Sequence, residues 1–115
     1  MMKDVERIEV GSRLSHAVVH NGLVYLAGVV SPGKGIRQQT RNVLRGIDKL
    51  LKRANTDKSK ILSATVWLAD MRHYDEMNKV WDEWVVPGNT PTRVCVQAKL
   101  SMLDFDVAIG VIAAQ

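Results

Sequence analysis

The sequence predicts an α+β domain: a six-stranded mixed sheet in the order strand, strand, strand, helix, strand, helix, strand, strand, with both helices packed on one face. Three observations carry this. Asn21-Gly22 separates two apolar, β-branched runs, Ser15–His20 and residues 23–29, and that dipeptide in that setting is the strongest local signal for a two-residue type I′ hairpin. Two segments repeat their apolar residues at helical spacing. Residues 89–100 alternate strictly, with Val94, Val96, Ala98 and Leu100 against Arg93, Cys95, Gln97 and Lys99.

Taken in order, residues 5–10 read as a first strand with an imperfect, edge-like pattern, closed by Gly11-Ser12-Arg13. The hairpin follows, and Ser31-Pro32-Gly33-Lys34-Gly35 breaks its second strand. Val43, Leu44, Ile47, Leu50, Leu51 and Ala54 then mark one face of a helix over residues 36–54. Its other face carries Arg37, Arg41, Arg45 and Lys49 every four residues, read chiefly as a solvated surface, with a phosphate-contacting surface as the alternative. Residues 60–69 form a strand with Leu62, Ala64, Val66 and Leu68 on one face and Ile61, Ser63, Thr65 and Trp67 on the other. Asp70 stands where an N-cap belongs. Tyr74, Met77, Val80, Trp81, Trp84 and Val85 then recur at helical spacing until Pro87-Gly88 ends the element. Pro91 suits the entrance of the strand that follows, since it fixes φ and lacks a donor. Residues 105–113 form the last strand, with Val107, Ile109 and Val111 facing one way and the smaller Ala108 and Gly110 facing the other.

At 115 residues, 46% hydrophobic and 24% charged, the chain is one ordinary globular domain spanning residues 1–115. No apolar run approaches the roughly 20 residues of a membrane span, and the charged opening Met-Met-Lys-Asp-Val-Glu-Arg does not suit a signal peptide, so a cytoplasmic location is expected. The lone Cys95 excludes an intrachain disulfide and a thiolate-rich metal site. His16 and His20 share a strand face but stand about 13 Å apart by the strand rise, too far to share an ion. No metal or cofactor is expected, and no phosphate loop, dinucleotide fingerprint or Ser-His-Asp order occurs. The net charge of +4 favours solubility more than nucleic-acid binding.

A sheet with helices on one side leaves its other face needing cover. That face is expected to carry Trp67, Thr65, Cys95 and Arg93, and a partner subunit is the economical cover. Arg93 is the leading site residue, because a guanidinium stays charged and its planar fork grips a carboxylate through two parallel hydrogen bonds. The competing reading pairs Arg93 with an acidic neighbour at a subunit interface. Cys95 would be a nucleophile only with a lowered pKa and a nearby base; a thiol lining the pocket is the better expectation.

Pro91-Thr-Arg93-Val-Cys95-Val, followed by a last strand reading Val-x-Ile-x-x-Ile-Ala, resembles the RidA/YjgF signature. Trp67-Leu-Ala-Asp70 and Met77-Asn-Lys-Val-Trp-Asp-Glu-Trp-Val-Val86 are closest to its YoaB-like branch. The resemblance implies a chorismate-mutase-like trimer whose bare sheet faces meet around an axis, with small-molecule sites in the clefts between subunits. It implies that Arg93 binds the carboxylate of a 2-imino or 2-keto acid, that backbone groups near Cys95 hold the reacting group and a water, and that Gly28 lets the chain approach the ligand, unless that glycine serves only as a bulge or turn. Three positions depart from the family's deaminases: Ala108 replaces the last-strand glutamate that positions the attacking water, Ala27 replaces a serine, and Leu14 replaces a pocket tyrosine. Imine hydrolysis needs a positioned water and a proton relay, so a weak or altered enamine or imine deaminase is expected, with Asp104, Asp106 or a neighbouring subunit as stand-ins for the glutamate. Two further readings are a noncatalytic metabolite-binding module whose site is widened at Ala108 and Gly110, and a ribonuclease-like RNA binder, which the basic helix supports only faintly.

Overall fold

The computed structural model describes residues 4–115. Its elements are β1 (Glu6–Val10), β2 (Ser15–His20), β3 (Leu23–Leu26), α1 (Gly35–Arg53), β4 (Ile61–Leu68), α2 (Tyr74–Trp84), β5 (Thr92–Gln97) and β6 (Val107–Ala114), with short 3-10 turns at Lys58–Lys60 and Met71–His73. The order is the one read from the sequence. The strands form one sheet, β1-β2-β3-β6-β4-β5, antiparallel throughout except for the parallel pair β4 and β5. Each helix therefore links two strands running the same way, α1 from β3 to β4 across β6, and α2 from β4 to β5. Both crossovers progress in one direction along the sheet, so the right-handed rule puts both helices on one face.

Asn21 and Gly22 have φ of 52° and 78°, the two left-handed residues a type I′ turn demands, and His20 pairs directly with Leu23. The third strand is shorter than its apolar run. Beyond Leu26 the chain keeps one bond to β2, from Ala27 N to His16 O at 3.0 Å, and then changes partner. Val29 and Ile109 exchange two backbone bonds of 2.8 and 3.1 Å. Gly28 sits at the changeover.

The core lies between the helices and the sheet. Val43, Leu44, Ile47, Leu50 and Leu51 of α1 and Met77, Val80 and Trp81 of α2 pack with Val19, Val24, Val66, Leu68, Ile109 and Val111. No helix among the described residues is long and apolar enough to cross a membrane. One buried polar side chain ties the layers together. Gln39 Nε2 donates to Asp104 O at 2.9 Å and reaches Gly33 O and Asp106 Oδ2 at 3.3 Å, while its Oε1 accepts from Asp106 N at 2.8 Å. It anchors the segment entering β6 to the first turns of α1. Gln39→Leu keeps the volume but strands the backbone groups of residues 104 and 106, so a loss of about 2–4 kcal/mol is expected in urea unfolding, and a loss below about 1 kcal/mol would contradict this role.

Two face assignments differ from the sequence reading. A bulge between Ile61 and Ser63 turns Ile61 into the core at 5% exposure and Leu62 outward at 49%, so the inner face of β4 is Ile61, Ala64, Val66 and Leu68. The second correction concerns β5. Arg93 pairs with Ala64 and Cys95 with Val66, both inward-facing, whereas Val94 and Val96 pair with Thr65 and Trp67. Arg93 and Cys95 thus lie on the helix side of the sheet, and Val94 and Val96 on the bare side at 58% and 44% exposure. Alternation alone could not reveal this, because the bare face is itself apolar. Both sides of β5 offered a home to valine, and the parallel register with β4 decided.

Candidate functional site

β5 is an edge strand, and α2 passes over its helix-facing side. Tyr74, Asn78 and Trp81, spaced by four and three residues, share one face of α2. Arg93 reaches up into that face. Its Nη1 donates to Asn78 Oδ1 at 2.8 Å and its Nη2 to Tyr74 OH at 3.3 Å, with the guanidinium carbon 5.1 Å from the Trp81 ring centroid and 5.8 Å from that of Tyr74. Aromatic faces of this kind hold a cation without neutralising it. Two of the guanidinium's five N–H groups are engaged, leaving three, and among the described residues no carboxylate pairs with it. The acid-paired reading of Arg93 thus finds no support within the chain.

The turn ahead of α2 fixes this geometry. Asp70 caps the Met71–His73 turn rather than the helix itself, accepting from Arg72 N at 2.9 Å. The Arg72 side chain, bonded to both Asp70 oxygens, holds that carboxyl down to about 2. Gln97 Oε1 accepts from Met71 N at 2.7 Å, so the end of β5 is stapled to the start of α2 and the Tyr74 ring is set against Arg93.

Cys95 stands two residues along the same face and, with Met71, Arg72, Tyr74 and Asp75, lines an open cavity of about 540 Å³. Burial pushes its thiol pKa up, and the nearby Arg93 charge offsets this only in part. The sulfur is therefore a protonated pocket wall at neutral pH rather than a nucleophile. Iodoacetamide at pH 7.5 is expected to alkylate it more slowly than free cysteine; an equal or faster rate would identify an activated thiolate instead.

The remaining candidates lie elsewhere. Leu14 is exposed ahead of β2, Ala27 and Gly28 follow β3, and Ala108 is on the bare face opposite Trp67. Four strand spacings separate β2 from β5, about 19 Å, and the sheet itself stands between Ala108 and Arg93. One chain therefore does not bring these six residues together. On the bare face the Trp67 ring lies 3.4 Å from where a Cβ on Gly110 would sit and 3.5 Å from one on Gly28, and the three residues line a shallow cavity of about 170 Å³. Asp104 and Asp106 line a different cavity, beside Gln39 and Pro32-Gly33-Lys34.

Residues 5–115 match the family described as Endoribonuclease L-PSP. The chain belongs to the endoribonuclease L-PSP family. A RutC family protein of Haemophilus ducreyi is 47% identical, with 96% of each chain covered. The RutC family protein YoaB of Escherichia coli is 40% identical over 96% of this chain and 97% of its own. Among solved structures, a member of the YjgF protein family from Neisseria meningitidis superposes with a TM-score of 0.94 at 41% identity, covering 97% of this chain and 95% of that one. The RidA/YjgF resemblance and its YoaB-like affinity are thereby shown.

In this L-PSP family chain, Asn78, Tyr74 and Trp81 are the site residues that reading the sequence missed. Tyr74 and Trp81 stood out as apolar helix positions, and Asn78 only within a family motif, although its place one turn after Tyr74 was legible. The basic stripe is interleaved with acids. Arg37 is paired with Glu76, and Arg41, Arg45 and Lys58 share a groove of about 220 Å³ with Asp48 and Glu83. Among the described residues no three His, Cys, Asp or Glu side chains gather as metal ligands.

Proposed function

We propose that this chain is a homotrimeric binder of small 2-imino and 2-keto carboxylic acids, held in clefts between subunits by Arg93, with weak or altered imine deaminase activity. The observation that carries the reading is the state of Arg93: a guanidinium held by neutral groups, with three N–H donors uncommitted, next to Tyr74 and Cys95, which line a cavity. A charged fork without an internal acid is a receptor for an external one. Two further points support the assembly. The bare sheet face presents Tyr25, Leu62, Val94 and Val96 to solvent, an apolar surface that a second copy would cover. Only a neighbouring copy could bring Leu14, Ala27, Gly28 or Ala108 near Arg93 and Cys95.

In such a cleft the acid's carboxylate sits on Arg93 while water adds to the C=N carbon and ammonia departs, leaving the 2-keto acid. Ala108, Ala27 and Leu14 offer no polar group to orient that water or relay a proton, so the gain over the spontaneous reaction is small. The Asp104 and Asp106 carboxylates, at the mouth of α1, are not part of this reading. Ammonia release from 2-iminobutanoate generated in situ, measured beside calorimetric binding of 2-ketobutanoate, tests it. Binding with slow turnover is the expected result; binding without turnover leaves a metabolite-binding module, and no binding at all rejects the carboxylate reading. RNA binding is not favoured, since acids interrupt the basic face of α1.

A further inference from the structure

We propose that α2 supplies the second half of the Arg93 receptor: the Tyr74 hydroxyl donates a hydrogen bond to the same bound acid, and Asn78 positions the guanidinium without cancelling its charge. The inference rests on the carboxylate reading above. Hydrogen-bond accounting leads to Tyr74. Its oxygen accepts from Arg93 Nη2, so its own proton must point elsewhere, and among the described residues nothing accepts it. The ring lines the cavity shared with Cys95. An anion seated on the free edge of the Arg93 fork lies within reach of that phenolic proton, and the two donors converge from β5 and α2. Tyr74 thus restores one of the polar groups that Leu14, Ala27 and Ala108 lack, from a different element.

Asn78 carries the second part. It sits one helical turn beyond Tyr74, and its Oδ1 takes an Nη1 proton at 2.8 Å, a position in which an aspartate of the same shape would fit equally well. A carboxylate there would form an ion pair and neutralise the site; the amide gives the same orientation and leaves the positive charge for the ligand. Trp81, stacked on the guanidinium, restrains it without competing for its donors.

Two near-isosteric variants test this: Tyr74→Phe, which removes only the hydroxyl, and Asn78→Asp, which adds only a charge. Calorimetry with 2-ketobutanoate and its uncharged counterpart 2-ketobutanamide supplies the readout, with thermal melts to establish that each variant is folded. Tyr74→Phe is expected to weaken binding of the acid roughly tenfold, and Asn78→Asp by roughly tenfold to a hundredfold, with a clearly smaller effect of Asn78→Asp on the amide. A merely structural role for Asn78 would weaken both ligands alike. Wild-type affinity for the acid in either variant, or equal losses for acid and amide in Asn78→Asp, overturns the inference. Should wild type bind the acid, and Arg93→Ala not, the carboxylate reading stands whatever these variants do; should wild type fail to bind it, both fall together.

Discussion

Arg93→Ala is expected to lower affinity for 2-ketobutanoate by about thirtyfold or more and to remove any acceleration of imine hydrolysis. Removing one partner of a bidentate, charge-assisted pair costs about 2–5 kcal/mol, and nothing else near the cavity supplies a comparable uncompensated charge, because Asp70 pairs with the Arg72 guanidinium. Arg93 also stacks on Trp81 and Tyr74, so alanine removes packing as well as charge. Arg93→Lys separates the two. Lysine keeps the charge and the stem but not the planar fork, and an intermediate affinity, roughly tenfold below wild type, is expected. Retention of binding in the alanine variant would remove Arg93 from the site.

Val96→Asp is expected to dissolve the assembly. Sedimentation of the wild type should give three times the mass of one chain, and the variant the mass of a single chain. Val96 lies on the bare face beside Trp67 and is 44% exposed within one chain, so a carboxylate there is hydrated in the lone protomer and its fold, followed by circular dichroism, should persist. In an assembly that buries this face the same carboxylate is taken out of water with no partner, a cost of several kcal/mol per subunit. Acid binding should fall with the assembly, since the proposed cleft needs two protomers. An unchanged mass would mean that the bare face is not the contact between copies.

The two corrections show where reading along the chain loses its hold. The Asn21-Gly22 hairpin needs only two left-handed residues between apolar runs, and the helices need only their own periodicity; these are local conditions, legible in consecutive residues. Arg93 stood out as a candidate from its type and its family motif, yet its surroundings were misassigned. Its face depends on the register between β5 and β4, strands separated in sequence by the whole of α2. Leu62 was misplaced for the same reason, since a one-residue bulge reverses every expectation on its far side. Gln39, an unremarked polar position in a helix, became the anchor of the segment before β6 because its partners lie more than sixty residues away.

The order of elements, the hairpin, the two helical stripes, family membership and the presence of an arginine and a thiol two residues apart were all legible in the residues alone. All of these are set by residue type and short-range spacing, where chain geometry leaves few choices. The folded structure was needed to show which side of the sheet that arginine faces, that Asn78, Tyr74 and Trp81 receive it, and that the Trp67 ring lies against Gly28 and Gly110. Those outcomes depend on strand register and helix crossover, which bring together residues that no local pattern relates.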